Sequence, residues 1–253
     1  MKITVINSSP RKKGVTSSLL HSLTNGFNDA GAIFEVYNLY EMNIKYCDGC
    51  FQCWYKHQGT CKFHDSFNEI YNTMIQSDLI VIASPIYGMM INGMLKSFLD
   101  RVSMVSHLPD FIIDEHSKKM VKPMYDYLPP IAILMVGNMS GREIFDAATL
   151  FFTEYFRITN AELRVIMLRH QSELLIRPIL EDVKSKVFGA MRQAGFELVK
   201  EGIVKPNTLK QIEQDLLEID KFIEGHNMFW KICTRKKIAP MNVEFDKYPF
   251  LKI

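Results

Sequence analysis

The chain has 253 residues, 47% of them hydrophobic and 23% charged, with a formal net charge of +2 and a pI near 8.2. That length suits one elaborated α/β domain with a substantial core, and charge so close to neutral argues for neither nucleic acid nor an acidic partner. A strand pattern begins at Lys2, where a signal peptide would need a basic region and a long apolar run, and no apolar stretch approaches the roughly eighteen residues of a membrane span. A cytoplasmic protein is expected.

Ile3 to Ile6 is a short β-branched run of the kind buried on both faces of a parallel sheet. It leads into Ser8, Ser9, Pro10, Arg11, Lys12, Lys13, Gly14, Thr16, Ser17 and Ser18, and then a helix from about Thr16 to Ala30. Hydroxyls, cations and free N–H groups at the positive end of a helix form a phosphate cradle. Gly14 would permit a left-handed turn, and Arg11 a two-pronged grip on phosphate. An ordinary capped turn is the bland alternative. Neither G-x-G-x-x-G nor G-x-x-x-x-G-K-[ST] occurs at this turn, which disfavours a Rossmann dinucleotide or a nucleoside triphosphate there.

Ile33 to Leu39 alternates as a second strand, and Asn43 to His64 is a cysteine-bearing loop. Asp65 and Ser66 open a helix reaching about Ser77, and Leu79 to Ala83 is the third strand, ended by Ser84-Pro85-Ile86-Tyr87-Gly88. A helix from about Ile91 to Val105 turns Met94, Leu95, Phe98 and Leu99 inward and leaves Lys96, Asp100 and Arg101 off that face. Residues 106–130 read as an irregular insertion that closes over a site or a partner subunit; Lys118 and Lys122 there read as solvated charges. Ile131 to Val136 is the fourth strand, followed by Gly137-Asn138-Met139-Ser140-Gly141 and a helix from about Arg142 to Phe156. Glu162 to Leu168 is the fifth.

Five strands alternating with helices predict a doubly wound parallel sheet of order 2-1-3-4-5 over residues 1–170. Residues 171–253 form a helical and aromatic C-terminal extension packed on the same domain or a partner. Helices are expected over Arg177 to Glu201 and Pro206 to Glu224, with Gly195, Gly202 and Gly225 as stops and an aperiodic tail from Asn227.

The loop N-S-S-P-R-K-K-G-V-T, the cysteine stretch from Cys47 to Cys61, IVIASPIYGMMINGMLKSFLDR and MVGNMSGRE stand in an order that resembles the flavodoxin-like NAD(P)H-dependent FMN reductase superfamily, most closely its iron-sulfur flavoproteins and multimeric-flavodoxin relatives. The match covers most of the first 165 residues. The resemblance implies an α/β flavodoxin-like sandwich that binds FMN and uses NAD(P)H to reduce it for a small-molecule or protein acceptor. It also implies phosphate contacts from Ser9, Arg11, Gly14, Thr16, Ser17 and Ser18, ring contacts from Pro85, Ile86, Tyr87 and Gly88, and Gly137, Asn138 and Gly141 along the ring's edge. A homodimer or homotetramer is implied as well, with the flavin at a subunit border. No catalytic side chain is singled out, since flavin and nicotinamide carry the hydride between them. An electron carrier without its own nicotinamide site and a flavin-free module are the alternatives.

Cys47-x2-Cys50-x2-Cys53-x7-Cys61 places four thiols within fifteen residues, which in such a chain reads as metal or redox chemistry. The spacing fits a [4Fe–4S] cluster, as in the iron-sulfur flavoproteins. A four-thiolate zinc and a metal-free packed loop are the other readings of the same residues.

Overall fold

In the computed structural model, residues 1–107, 110–115, 118, 120–121, 128–178 and 180–243 are described. Five parallel strands, β1 (Lys2–Asn7), β2 (Ile33–Asn38), β3 (Leu79–Tyr87), β4 (Ile131–Val136) and β5 (Leu163–Arg169), lie in the order β2-β1-β3-β4-β5. This is the doubly wound order expected from the sequence. β1, β3 and β4 are buried on both faces, so alternate residues feed two layers. Val5, Val81 and Leu134 join one core cluster; Ile6, Ile82 and Ile133 join the other.

The first layer holds α1 (Val15–Asp29), with α6 (Glu181–Lys200) and α7 (Pro206–Glu213) from the C-terminal part. The second holds α3 (Ser66–Ile75), α4 (Gly93–Ser106) and α5 (Asp146–Ile158). A single turn, α2 (Gln52–Tyr55), interrupts the cysteine loop, and α8 (Ile219–Lys236) follows α7. Among the described residues no helix is long and apolar enough to cross a membrane.

Several sequence expectations change in three dimensions. Gly195 stops no helix. It sits inside α6 where that helix crosses α1, and a Cβ there would stand 2.1 Å from the Leu23 carbonyl oxygen; one on Gly26 of α1 would stand 1.9 Å from that of Arg192. The two backbones touch because both residues lack side chains. Gly195→Ala is therefore expected to destabilise the fold by about 1–3 kcal/mol despite alanine's better helix propensity, as measured by urea denaturation.

Gly225 also lies inside a helix, α8, whose Phe222, Phe229 and Cys233 are buried. The expected helix over Pro206 to Glu224 instead breaks between Glu213 and Ile219. Buried Arg169 donates to the Ile212 and Gln214 carbonyls (2.7 and 2.8 Å), while Gln171 accepts from the Leu216 and Leu217 N–H groups (2.9 and 3.0 Å). Backbone groups of the junction and of the last turn of α7 are satisfied from β5 and the loop beyond it.

Arg101, expected off the buried face of its helix, is 1% exposed and paired with the equally buried Asp65. Within the insertion, Ile112–Ile113 and Met120–Val121 form a short antiparallel pair in place of irregular chain. Lys122, Tyr125, Tyr127 and the tail aromatics Phe245, Tyr248 and Phe250 lie outside the described residues.

Candidate functional site

The carboxyl ends of β1, β3, β4 and β5 bring four loops to one edge of the sheet, at the place where the chain reverses its winding between β1 and β3. The β1–α1 loop is pinned from below. The Ser8 backbone N–H and Oγ both donate to the Ala83 carbonyl at 3.0 Å, and buried Asn92 donates through Nδ2 to the Ser8 carbonyl at 2.6 Å. Asn92 also caps α4, its Oδ1 accepting from the Leu95 N–H at 3.0 Å, so one side chain ties the loop to the second layer. Sequence reasoning passed over it, although an Asn one residue before the start of a helix is a capping signal.

Within the loop, Ser9 is buried and its Oγ accepts from the Arg11 N–H at 3.3 Å. Gly14 is the N-cap of α1, with no side-chain capping bond and no acidic residue in the first turn. That leaves the positive end of a fifteen-residue helix without an anionic partner among the described residues. Gly14 itself is extended (φ −86°), contrary to the left-handed turn expected of it. Its glycine character answers crowding: a Cβ would lie 2.8 Å from Cβ of Arg11. Thr16 is buried in the first turn, and the Ser17 and Ser18 hydroxyls donate to the carbonyls of Arg11 (3.0 Å) and Gly14 (3.2 Å).

Arg11 is not empty-handed. Its Nη1 meets Glu173 Oε1 at 2.8 Å, with the arginine side chain 59% exposed. Glu173 follows β5, and its own N–H donates to Asn138 Oδ1 at 3.2 Å, so the pair links the first loop to the loop after β4. The signal for Glu173 lay in the rule that loops beyond strand carboxyl ends line the crevice.

β3 runs on past the expected end. Pro85 is buried inside it opposite Val136, and Ile86 and Tyr87 pair antiparallel with Ile91 and Met90. Gly88 and Met89, both at positive φ (56° and 64°), form the two-residue turn between them. Tyr87 and Met89 are about half exposed. Burial raises the Tyr87 phenol's pKa and nearby Arg11 lowers it, with Tyr40 and Glu173 raising it further. The net shift is upward, and the hydroxyl stays protonated near neutral pH.

After β4, only Gly141 takes a positive φ (98°) among Gly137, Asn138 and Gly141. Gly137 is small for a different reason: a Cβ would lie 2.5 Å from Ile144 Cδ1 and 3.2 Å from the Phe145 ring.

Ser9 and Ser17, with Pro10, Lys12, Asn38 and Tyr40, also line a cavity of about 350 Å³ between α1 and β2. Tyr87, Gly88 and residues 137–141 are not among its walls.

A family model described as NADPH-dependent FMN reductase matches residues 1–146, more than half of the chain and all of the first three loops. The chain belongs to that family. It is similar to an iron-sulfur flavoprotein of Archaeoglobus fulgidus, 32% identical over 109 residues (43% of this chain, 49% of that protein). It is also similar to an iron-sulfur flavoprotein of Clostridioides difficile, 36% identical over 107 residues (42% of this chain, 47% of that protein). The chain spans about half the length of these curated relatives. Among solved structures, an NAD(P)H:quinone oxidoreductase from Methanothermobacter marburgensis superposes with a TM-score of 0.57 at 15% identity, covering 78% of this chain and 96% of that one, a likeness of fold.

The second feature is the cysteine loop. Cys47, Cys50, Cys53 and Cys61 all line one small cavity of about 20 Å³, together with Lys62, Phe63, Arg101 and Met104. Cys53 is buried and its pKa is pushed up to about 11, chiefly by burial, with the other three thiols adding to the rise. Gly49 and Gly59 of this loop are both at positive φ, and a Cβ on either would meet nothing within 4 Å. Among the described residues, no group of three or more His, Cys, Asp or Glu side chains is spaced to hold a metal ion.

Proposed function

We propose that this chain binds FMN at the carboxyl edge of its sheet and acts as an NAD(P)H-dependent oxidoreductase that hands electrons to a small-molecule or protein acceptor. The uncapped, hydroxyl-lined N-terminus of α1 carries this reading, since it faces the same edge as the hairpin after β3. The phosphate would rest on the first-turn N–H groups of α1, with Arg11 turning from Glu173 to meet it and Ser9, Gly14, Thr16, Ser17 and Ser18 around it. Ser17 and Ser18 would have to rotate their hydroxyls from the carbonyls they now serve in order to donate. The ring would lie along Ile86, Tyr87 and Gly88 at the end formed by Pro85, with its polar edge toward Gly137, Asn138 and Gly141.

FMN, when bound, supplies acceptance of a hydride and release of its electrons singly or in pairs. The chain's part is to fix the ring and exclude water. Tyr87, Met89 and Met139 present exposed apolar surface around the ring position, which supports a second subunit as the cover there. The purified protein is expected to take up FMN, to bleach the flavin on anaerobic addition of NADH or NADPH, and to run as a dimer or tetramer in light scattering. A flavin that stays oxidised with both nicotinamides returns the electron-carrier reading. Protein that ignores added FMN returns the flavin-free one.

The cysteine loop supports a second element of the same reading, a [4Fe–4S] centre. The donor set fits in kind though not in its present spacing: four sulfurs line one cavity, and a cation in its wall, Arg101, has buried N–H groups with no partner among the described residues. The cavity holds about one water's volume, so the loop would have to spread for the four cysteines to hold a cluster. Protein purified without oxygen is expected to contain iron and sulfide; zinc alone, or no metal, contradicts the cluster.

A further inference from the structure

Arg101 is buried in α4, and its known bonds all use one nitrogen. Nη1 donates to Asp65 Oδ2 at 2.6 Å and to the Lys45 carbonyl at 3.2 Å. Nε and Nη2 are buried and have no partner among the described residues. The guanidinium is held over the Phe67 ring, 4.1 Å from its centroid, and lies 5.6 Å from that of Phe63, so it has little freedom to seek other acceptors. Asp65 balances the charge but leaves two donors idle, and unsatisfied N–H groups on a buried cation are among the costlier features a fold can keep.

The same side chain forms part of the wall around Cys47, Cys50, Cys53 and Cys61. The other cation in that wall, Lys62, is paired with Asp48. Four thiolates around iron and sulfide make an anionic centre rich in sulfur acceptors, and its reduction adds a further negative charge. Hydrogen bonds to such sulfurs favour the reduced form. We propose that Arg101 is the hydrogen-bond donor to this centre, giving Nε–H and Nη2–H to its sulfurs and raising its reduction potential. The inference rests on the cluster reading above; Asp65, by fixing the guanidinium, is the positioning residue.

The test uses the full-length protein, grown with arginine labelled with ¹⁵N in the guanidino group and purified anaerobically. Iron and sulfide are counted, and the dithionite-reduced protein is studied by pulsed electron paramagnetic resonance. The expected result is a cluster whose electron spin couples to ¹⁵N. A protein without iron overturns the cluster reading and this proposal with it. A cluster with no ¹⁵N coupling overturns the proposal alone. Arg101→Lys keeps a cation for Asp65 but loses both idle donors, and its cluster is expected to be reduced at least tenfold less favourably, a fall of about 59 mV for one electron. An unchanged potential contradicts the proposal. Should this variant not fold, the labelled wild-type spectrum decides by itself.

Discussion

Asp65→Ala is expected to destabilise the protein by about 3–5 kcal/mol, because it leaves the Arg101 charge in the second layer without its carboxylate, the Lys45 carbonyl being its remaining hydrogen-bond acceptor among the described residues. The aspartate does more than pair. Its Oδ1 accepts from the Phe67 N–H at 3.3 Å as the N-cap of α3, and its Oδ2 accepts from the Lys45 N–H at 2.8 Å. Burial alone would raise the Asp65 pKa; Arg101 and the two N–H donors outweigh it, and the net shift is downward. A depressed carboxylate contributes stability above its unfolded pKa of about 3.9 and loses it as pH falls through the folded value. The wild type should therefore weaken on acidification below about pH 4, and the alanine variant should lack that part of the slope. Asp65→Asn keeps a capping oxygen and should lose less than alanine. Urea denaturation across pH measures all three; an alanine variant within 1 kcal/mol of wild type would show that the pair carries little.

Arg11→Ala is expected to weaken FMN binding by about 1.5–3 kcal/mol, roughly 10- to 150-fold, the scale of a hydrogen bond to a charged group. Its present partner does not prevent that role. The Arg11–Glu173 bond is exposed, and such pairs are worth little against water, so the guanidinium is released cheaply when a phosphate arrives. For the same reason the variant should unfold at nearly the wild-type urea concentration. Glu173→Gln removes both the competing partner and a like charge beside the phosphate, and should tighten FMN binding. Fluorescence titration of FMN measures both effects, and equal affinity in all three proteins removes Arg11 and Glu173 from the site.

The sheet was legible because β1, β3 and β4 are apolar runs buried on both faces, and because each is followed by a helix with its own apolar stripe. The first loop was legible by its crowding of hydroxyls and cations. What escaped the sequence depends on partners distant in the chain. Arg101 looks like a surface residue until Asp65, 36 positions earlier, is placed beside it. Gly195 reads as a stop until α1 is laid across it. The break before α8 is made by Arg169 and Gln171, whose bonds to that junction span 43 to 46 positions, and no local pattern announces it. Gly14 reads as a place of backbone freedom, whereas close neighbours are the reason it carries no side chain.

A crystal structure of the protein grown with saturating FMN tests the flavin site most directly. The phosphate should sit on the first-turn N–H groups of Val15, Thr16 and Ser17, with the ring against Tyr87 and Gly88. Density for FMN in the cavity between α1 and β2, or none anywhere on the chain, would contradict it.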